Sequence, residues 1–289
     1  MSLFRRRESS CVLRGGRIVQ ESYGKDYAPD LFVEWGSITK LVTAEVVSRL
    51  VDSGLLAYDQ PAREVLGPLP PSVTVGGLVT HTSGLPRVHA GMKAGILQDP
   101  YSDTGPSVVR AAVAKLAEGD LLAPGSMTYS NLGYAVLGLI IEEVTGRPWF
   151  EVVREQIADP QGLCLVLVPP ADKWAHIRGF DRQPHRPWDL ENSAYAPAGA
   201  LWSTLRDLAR YGAYSLASDA VQLPQRAWQA DRDRYWHNGQ TRDAGSCLIV
   251  EPGRQLVVAA HTLARLPGAA DRLAARIADR PTEELDASV

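Results

Sequence analysis

The sequence predicts a mixed α/β fold of the α+β type, with one antiparallel sheet built from both ends of the chain. Residues 11–14 and 17–21 are strand-like runs, and the glycine pair Gly15-Gly16 between them is typical of a tight hairpin turn. Three more strand-like runs lie near the C-terminus, and helical patterns fill the region between the two ends. Because short connections are favoured, we expect the two ends to pair into a single sheet flanked by helices.

The same distribution of patterns predicts how the chain divides into domains. We expect residues 1–55 and 200–289 to form the sheet domain, and residues 56–199 to form a mostly helical inserted domain. Binding sites are common where two domains meet, so we expect the active site at their junction.

Apolar spacing and the positions of glycine and proline predict the elements between the two ends. Residues 31–33 form a strand-like run, and an amphipathic helical pattern begins after Gly36 and continues to Gly54. Further helices are expected at residues 74–79, 107–118, 132–144, 150–158, 200–214 and 271–279. The C-terminal strands are expected at residues 234–238, 246–251 and 255–261. The acidic tail from Thr282 is expected to fray.

The stretch from residue 169 to residue 195 is expected to be an irregular loop. It combines Trp174, Phe180 and Trp188 with several prolines and charged residues. Such a loop either lines a pocket or covers the core, and its composition favours neither alternative.

Composition and charge indicate a water-soluble globular protein. Of the 289 residues, 45% are hydrophobic and 22% are charged, and a net charge of -3 argues against a nucleic-acid-binding surface. No apolar run approaches the roughly 18 residues that span a membrane. The basic run Arg5-Arg6-Arg7 is not followed by an apolar segment, so no export signal is expected. The three cysteines show no metal-like spacing, so we expect a cytoplasmic protein with reduced thiols and without a metal or other cofactor.

Ser37 and Lys40 form an S-x-x-K pattern in the first turn of the helix that follows Gly36. Side chains three residues apart share one face of a helix, so the hydroxyl and the amine can meet. A neutral amine beside a serine is a usable base, and burial lowers the pKa of a lysine. The alternative is a helix cap at Ser37 with a solvated Lys40. Only five of the 30 basic residues are lysine, which favours the catalytic interpretation, because arginine does not lose its proton.

Tyr129 and Asn131 lie in a constrained loop between the Pro124-Gly125 break and the next apolar helix. From such a loop their side chains can face a cleft. A tyrosine beside a neutral lysine and a serine can relay a proton, and an asparagine can hold a bound amide or ester. The alternative is a tyrosine packed by its ring, with Asn131 capping the helix that starts at Leu132.

His237, Gly239 and Gln240 lie on or just beyond the first of the three C-terminal strands. A strand edge there can donate a backbone N–H to an acyl oxygen and form an oxyanion hole together with the N–H of Ser37. Glycine at position 239 lets a substrate approach the backbone closely. The H-x-G spacing also occurs at residues 89–91, so it carries little weight by itself.

These three motifs, in this order, resemble those of the serine β-lactamase and penicillin-binding-protein superfamily. The resemblance is greatest to the class C-like branch, with its esterases and D-aminopeptidases. It covers roughly residues 30–212 and extends beyond the short motifs. The supporting segments are residues 35–40 (WGSITK), 78–86 (LVTHTSGLP), 129–134 (YSNLGY) and 197–204 (PAGALWST). The resemblance implies a β-lactamase/transpeptidase-like fold.

The resemblance also implies roles for individual residues. It implies that Ser37 is the nucleophile and that Lys40 and Tyr129 are the proton-transfer pair. The implied substrate-binding residues are Asn131, His237, Gly239 and Gln240. The backbone N–H groups of Ser37 and Gln240 would form the oxyanion hole. His81 would belong to a structural loop and would not ligate a metal.

Two departures from the family pattern bear on the substrate. Residues 237–239 read H-N-G where the antibiotic-processing members carry K-T-G, so the ammonium that would bind a substrate carboxylate is missing. This difference weakens a penicillin or D-Ala-D-Ala substrate and favours other esters or amides. The stretch between Gly212 and His237 is short for the family, which suggests an open cleft that admits a large substrate or a second one.

We therefore expect an enzyme that forms an acyl-enzyme at Ser37 from a small-molecule ester or amide. Either Lys40 or Tyr129 takes the serine proton. Water as the acceptor would make the enzyme an esterase or amidase, and an amine acceptor would make it a transacylase. The alternatives are a true β-lactamase or D,D-peptidase, and a catalytically silent binding scaffold. No nucleic-acid or membrane partner is expected.

Overall fold

Two antiparallel sheets form the frame of the computed structural model, which describes residues 6–92, 99–170, 172–177, 186–218 and 220–286. The strands are β1 (Glu8–Arg14), β2 (Arg17–Tyr23), β3 (Phe32–Glu34), β4 (Trp202–Thr204), β5 (Gln229–Asp231), β6 (Arg234–Gln240), β7 (Gly245–Glu251) and β8 (Leu256–Thr262). The larger sheet has the order β2-β1-β8-β7-β6-β5, and β3 pairs with β4 in the smaller one. Because β1 pairs with both β2 and β8, the two ends of the chain meet in one antiparallel sheet, as the sequence predicts.

Helices occupy most of the chain between β3 and β5, and two more follow β8. They are α1 (Thr39–Asp52), α2 (Arg63–Leu66), α3 (Val75–Val79), α4 (Pro106–Val113), α5 (Asn131–Thr145), α6 (Trp149–Val153), α7 (Asp159–Gln161), α8 (Ala196–Gly199), α9 (Leu205–Ala217), α10 (Ala269–Ala278) and α11 (Thr282–Asp286). Single 3-10 turns include Gly36–Ile38 before α1, and a π-helical turn, Arg154–Ala158, continues α6. None of the helices in the described residues is long and apolar enough to cross a membrane.

Helices cover both faces of the six-stranded sheet, so its central strands are buried on both sides. Val12 of β1 packs in a cluster with Leu273 and Ile277 of α10. The next residue, Leu13, points to the opposite face and belongs to the larger core, together with Leu208 of α9. All seven residues of β7 and of β8 are buried for the same reason.

Helix α5 is the central helix of the middle region and has a clear signal at each end. The Ser130 hydroxyl accepts a hydrogen bond from the Gly133 N–H at 2.8 Å, and the helix ends at Gly146 in a left-handed conformation (φ 65°). A Cβ on Gly138 would lie 2.2 Å from the Pro197 ring, so only glycine allows α5 to contact α8 this closely. The close contact fixes the position of Ala198, which reaches the site described below.

The structure corrects several expectations about individual elements. The helix expected at residues 200–214 begins only at Leu205, because residues 202–204 pair with β3 as β4. Helix α4 ends at Val113, short of the expected residue 118, and strand β5 was not foreseen. The acidic tail forms helix α11 because Leu285 is buried in the cluster beneath α10.

The loop expected at residues 169–195 is irregular in its described part and does two things. The backbones of Lys173 and Ala175 form hydrogen bonds with the backbone of Phe32. The Trp174 ring packs edge-on against the Trp202 ring at a centroid distance of 5.8 Å. Trp188 lines a cavity. Phe180 lies outside the described residues. The division of the chain into a sheet domain and a helical domain stays a prediction.

Candidate active site

The turn Gly36–Ile38 places Ser37 against the end of β6. Gly36 has a left-handed φ of 52°, and a Cβ there would lie 3.1 Å from the backbone nitrogen of Gln240. The contact from the other side is closer still, since a Cβ on Gly239 would lie 2.1 Å from the Trp35 carbonyl oxygen and 2.9 Å from the Ser37 nitrogen. Gly36 and Ile38 are buried, and Ser37 between them is only half-buried. The serine is therefore presented to the cleft from a rigid contact between two backbone segments.

Lys40 lies in the first turn of α1 and is fully buried. Its Nζ lies 3.0 Å from Ser37 Oγ and donates a hydrogen bond to the Ala198 carbonyl at 2.6 Å. Burial, with a smaller contribution from the nearby charge of Arg87, holds the pKa of Lys40 well below its usual range. The described residues place no carboxylate in a salt bridge with this amine. Burial therefore favours the neutral form of this amine, which lies beside the serine hydroxyl and is oriented by a carbonyl.

Tyr129 approaches the same serine from the opposite side. Its hydroxyl donates to Ser37 Oγ at 2.6 Å. Burial raises the pKa of Tyr129, although its hydrogen bond with Ser37 and the charge of Arg87 act in the other direction. The phenol is therefore protonated at neutral pH, and it can give up a proton to a developing negative charge.

His81 holds the Tyr129 loop in place. Its Nδ1 accepts the Ser130 N–H at 3.1 Å, its carbonyl accepts the Thr128 N–H at 2.7 Å, and its ring packs 4.5 Å from the Tyr129 ring. Burial lowers the pKa of His81 to about 3, so the ring is neutral. Among the described residues, no group of His, Cys, Asp and Glu side chains is placed to hold a metal ion. These contacts are structural.

Asn131 is the first residue of α5, and its side chain lines the cavity in front of Ser37. The cap of this helix is Ser130, so Asn131 does not have the capping role considered for it. The Oδ1 of Asn131 is buried and has no hydrogen-bond partner among the described residues. An unsatisfied buried amide oxygen beside the serine is available to a ligand N–H.

The three β6 residues of the predicted site lie in different environments. His237 is 2% exposed and does not line the cavity, and burial lowers the pKa of its ring to about 4, so it is neutral. Gly239 lies behind the cavity wall, where it permits the close backbone contact described above. Gln240 lines the cavity, but its side-chain amide donates to the carbonyls of Thr241 and Ala244. What Gln240 presents toward Ser37 is therefore its backbone nitrogen.

A cavity of about 640 Å³ opens in front of Ser37, which is the size of a small-molecule site. One wall is largely apolar and aromatic, formed by Val88, Met92, Pro100, Tyr101, Trp188 and Leu190. The Tyr101 and Trp188 rings contact each other at a centroid distance of 5.4 Å. Trp188 thus confirms the pocket-lining alternative for its part of the loop.

Sequence reasoning did not identify two groups at the site. The Ala198 carbonyl orients Lys40, and backbone carbonyls have no signature of their own in a sequence. Arg87 lines the cavity, with its guanidinium carbon 5.2 Å from the centroid of the Tyr129 ring. Its place directly after the segment LVTHTSGLP was a signal that could have drawn attention to it.

Comparison with known proteins gives a consistent result. A protein-family model described as Beta-lactamase matches residues 9–281. Penicillin-binding protein 4 of Amycolatopsis lactamdurans is 28% identical over 213 residues, which cover 67% of this chain and 53% of that protein. Esterase EstB of Burkholderia gladioli is 32% identical over 180 residues, which cover 56% of this chain and 42% of that protein. This chain spans about half the length of the curated relatives it matches.

A solved structure shares the fold at low sequence identity. The beta-lactamase/D-alanine carboxypeptidase of Yersinia pestis, complexed with citrate, matches with a TM-score of 0.77 at 19% identity. The match covers 94% of this chain and 92% of that chain. It confirms the fold that the three motifs predict.

Proposed function

This chain belongs to the beta-lactamase family, and we propose that it forms an acyl-enzyme at Ser37 from a small-molecule ester or amide. The observation that carries the proposal is the position of Ser37 Oγ, 3.0 Å from the Lys40 amine and 2.6 Å from the Tyr129 hydroxyl. A serine flanked by a neutral amine and a neutral phenol has both a base and an acid within reach.

Lys40 is the base of the first step in this proposal, and Tyr129 is the acid. Ser37 Oγ attacks the substrate carbonyl carbon while its proton passes to the lone pair of Lys40 Nζ. Tyr129 then protonates the leaving oxygen or nitrogen as the acyl bond breaks, and the proton on Lys40 restores the phenol. This division of roles follows from burial, which favours the uncharged form of both side chains.

The backbone N–H groups of Ser37 and Gln240 are the proposed oxyanion hole. Both nitrogens lie where the Gly36–Ile38 turn contacts the end of β6. This contact is so close that a Cβ at position 36 or 239 would meet the facing backbone. Such fixed donors stabilise the negative charge that develops on the carbonyl oxygen. Asn131 Oδ1 is positioned to accept an N–H of the substrate.

The second half of the reaction has two outcomes from the same intermediate. Transfer to water makes the protein an esterase or amidase, and transfer to an amine makes it a transacylase. A cavity of about 640 Å³ leaves room for an acceptor beside an acyl group, which supports transfer. The similarity to a protein named as an esterase supports ester cleavage. A location in the cytoplasm and the absence of nucleic-acid and membrane partners stay predictions.

Lactam or D-Ala-D-Ala substrates are less well supported by the site. His237 replaces the lysine that antibiotic-processing members carry, and it is neutral and buried. The cavity therefore presents no ammonium from β6 to a substrate carboxylate. Turnover of a chromogenic cephalosporin at a rate matching that of simple esters would place the protein among the β-lactamases instead.

Intact-mass measurement after mixing the protein with an activated ester tests the acyl-enzyme directly. Three proteins are compared: wild type, Ser37→Ala, and Ser22→Ala as a matched control. Ser22 begins the second S-x-x-K of the sequence, but its side chain is exposed on β2. We expect a mass increase equal to one acyl group in wild type and in Ser22→Ala, and none in Ser37→Ala.

The same mixtures, repeated with added primary amines, separate the two outcomes of the second step. Amide in the product would identify a transacylase, and free acid alone would identify an esterase. If no ester or cephalosporin gives an adduct or turnover in wild type, the acyl-enzyme mechanism is wrong and a binding scaffold becomes the better interpretation.

A further inference from the structure

Among the described residues that line the cavity in front of Ser37, Arg87 is the one with a charged side chain. It is exposed to solvent, and no hydrogen bond or ion pair of its guanidinium occurs within the described ranges. Its backbone is fixed, because the Arg87 carbonyl accepts the N–H groups of Asn131 and Leu132 at 2.9 Å and 3.1 Å. The start of α5 thus holds a cation at the mouth of the site, and within the described ranges its N–H donors have no hydrogen-bond acceptor.

The opposite wall, formed by β6, offers no charge to a ligand. His237 is neutral and buried behind this wall. Asn238 donates its side-chain N–H to Asp271 at 2.7 Å, and the Gln240 amide is bonded to its own turn. Any anionic group of a substrate therefore finds its counter-charge on the Arg87 side.

Asp99, an acidic residue next to the cavity-lining Pro100 and Tyr101, already accepts hydrogen bonds. Asp99 accepts the backbone N–H groups of Tyr101 and Asp189. Among the described residues, Asp99 forms no ion pair with Arg87. Arg87 remains available for a ligand.

Tyr129 contacts both Arg87 and Ser37. The guanidinium lies over the Tyr129 ring, and the hydroxyl of that ring contacts Ser37 Oγ. One phenol ring therefore separates the cation from the position of the acyl carbon. Val88 and Met92, which line the cavity next to Arg87, can contact a hydrocarbon chain that bridges this distance.

We propose that Arg87 binds an anionic group on the substrate, so that the site selects esters or amides that carry a carboxylate on the side of the cavity away from β6. The inference rests on the acyl-enzyme proposed at Ser37. In this proposal the substrate carboxylate is bound by the residue that follows the LVTHTSGLP segment. It is not bound by strand β6, where the family ammonium is missing. A guanidinium suits this role because its planar N–H donors match the two oxygens of a carboxylate.

The test compares pairs of esters that differ only in one charge. Each pair consists of the mono-4-nitrophenyl ester of adipic or suberic acid and the same compound with its free carboxylate methylated. The ratio of kcat/KM within a pair cancels any change in the chemical step that both esters share. We expect wild type to prefer the anionic ester by about tenfold at low salt, and the preference to fall as salt is added.

The variants are Arg87→Gln, Arg87→Lys and, as a matched control, Arg63→Gln. Arg63 is an exposed arginine on α2 that does not line the cavity. We expect the preference to vanish in Arg87→Gln, to survive in part in Arg87→Lys, and to persist in Arg63→Gln. A wild-type ratio near one, or a preference that persists in Arg87→Gln, would overturn the assignment of Arg87.

A binding measurement separates this proposal from the mechanism at Ser37. Calorimetric titration of the Ser37→Ala protein with the monomethyl ester of adipic acid needs no catalysis. We expect binding that weakens about tenfold when Arg87→Gln is added to Ser37→Ala. Absence of binding, or equal binding by both proteins, refutes the role of Arg87. If binding depends on Arg87 but wild type forms no acyl-enzyme with the activated esters, only the mechanism at Ser37 is refuted.

Discussion

Ser37 lies between two side chains on which burial acts in opposite directions. Loss of water lowers the pKa of the Lys40 amine and raises the pKa of the Tyr129 phenol. Neither shift needs a neighbouring carboxylate, because an uncharged form is favoured in each case. The proposed base and acid can therefore coexist at one pH around one oxygen, which is how enzymes assign the two roles.

Replacement of Lys40 by methionine removes the proposed base while keeping a side chain of similar length. We expect kcat/KM for an activated ester to fall about 10²- to 10⁴-fold, because proton transfer from the attacking serine is lost. Stopped-flow measurement of the acylation step checks this directly, with thermal unfolding as the control for an intact fold. If the variant keeps more than a tenth of the wild-type rate, Tyr129 is the base instead.

In wild type the same assignment predicts an acid limb in the pH profile. Lys40 must be neutral to accept the serine proton, so activity falls as pH drops through its pKa in the folded protein. Because burial lowers that pKa, the protein stays active well below the pH at which an ordinary lysine gains its proton.

Replacement of Tyr129 by phenylalanine tests the proposed acid through the leaving group. A 4-nitrophenolate leaves without protonation, whereas an alkoxide does not. We expect a loss of about tenfold or less for a 4-nitrophenyl ester and of about 10²-fold or more for the matching alkyl ester. Rates for the two esters, measured side by side, check this, and equal losses would show that Tyr129 does not protonate the leaving group.

At the scale of single elements, the patterns with strong local signals were predicted well. The hairpin follows from its glycine pair, and α5 follows from an apolar run with a proline–glycine break before it and Gly146 after it. The start of α9 was missed because β4 is a strand only through its pairing with β3, and three residues carry too weak a period to reveal that.

The site shows the same division between local and tertiary signals. The spacing of Ser37 and Lys40 on a helix is a local property, and the structure brings them together with Tyr129 as expected. The burial of His237 behind the cavity wall depends on how closely β6 meets the Gly36–Ile38 turn. Nothing in the letters H-N-G indicates that contact, so sequence alone placed His237 among the substrate-binding residues.

Alanine at position 239 tests this contact between β6 and the Ser37 turn. The new Cβ would lie 2.1 Å from the Trp35 carbonyl oxygen and 2.5 Å from Ser246 Oγ, so the strand must move away. We expect kcat to fall by about 10² or more, since the oxyanion-hole donors separate. The matched control is Gly253→Ala, where a Cβ meets nothing within 4 Å. Wild-type kcat in the Gly239→Ala protein would show that the contact has no part in catalysis.

For the molecule as a whole, the position of Ser37 depends on parts of the chain that are far apart in sequence. Strand β3 precedes the serine and pairs with β4, while the turn after β6 belongs to the larger sheet. A side-chain hydrogen bond joins the two, because the Thr241 hydroxyl donates to Glu34 Oε2 at 2.8 Å. Glu34 therefore connects the smaller sheet to the larger one close to Ser37 in the chain.

The charge state of Glu34 should make the stability of the whole fold depend on pH. Burial, and to a lesser degree the charge of Asp243, raises the pKa of Glu34 from 4.5 to about 7. Between these values the folded protein binds a proton that the unfolded chain has lost, so this group stabilises the fold less and less as pH rises from about 4.5 to about 7. Glutamine at position 34 keeps an oxygen that can accept from Thr241 but carries no charge at any pH.

We therefore expect the Glu34→Gln protein to become more stable relative to wild type as pH rises from about 4.5 to about 7. Because Glu34 is only half-buried, we expect the free energy of unfolding of Glu34→Gln minus that of wild type to grow by about 1–3 kcal/mol over this range. Urea unfolding of both proteins at several pH values checks the difference, in which the titrations common to both cancel. Glu64→Gln, at an exposed position on α2, is the matched control. A difference that stays constant with pH, or that shrinks as pH rises, would mean that Glu34 is not held protonated in the folded protein.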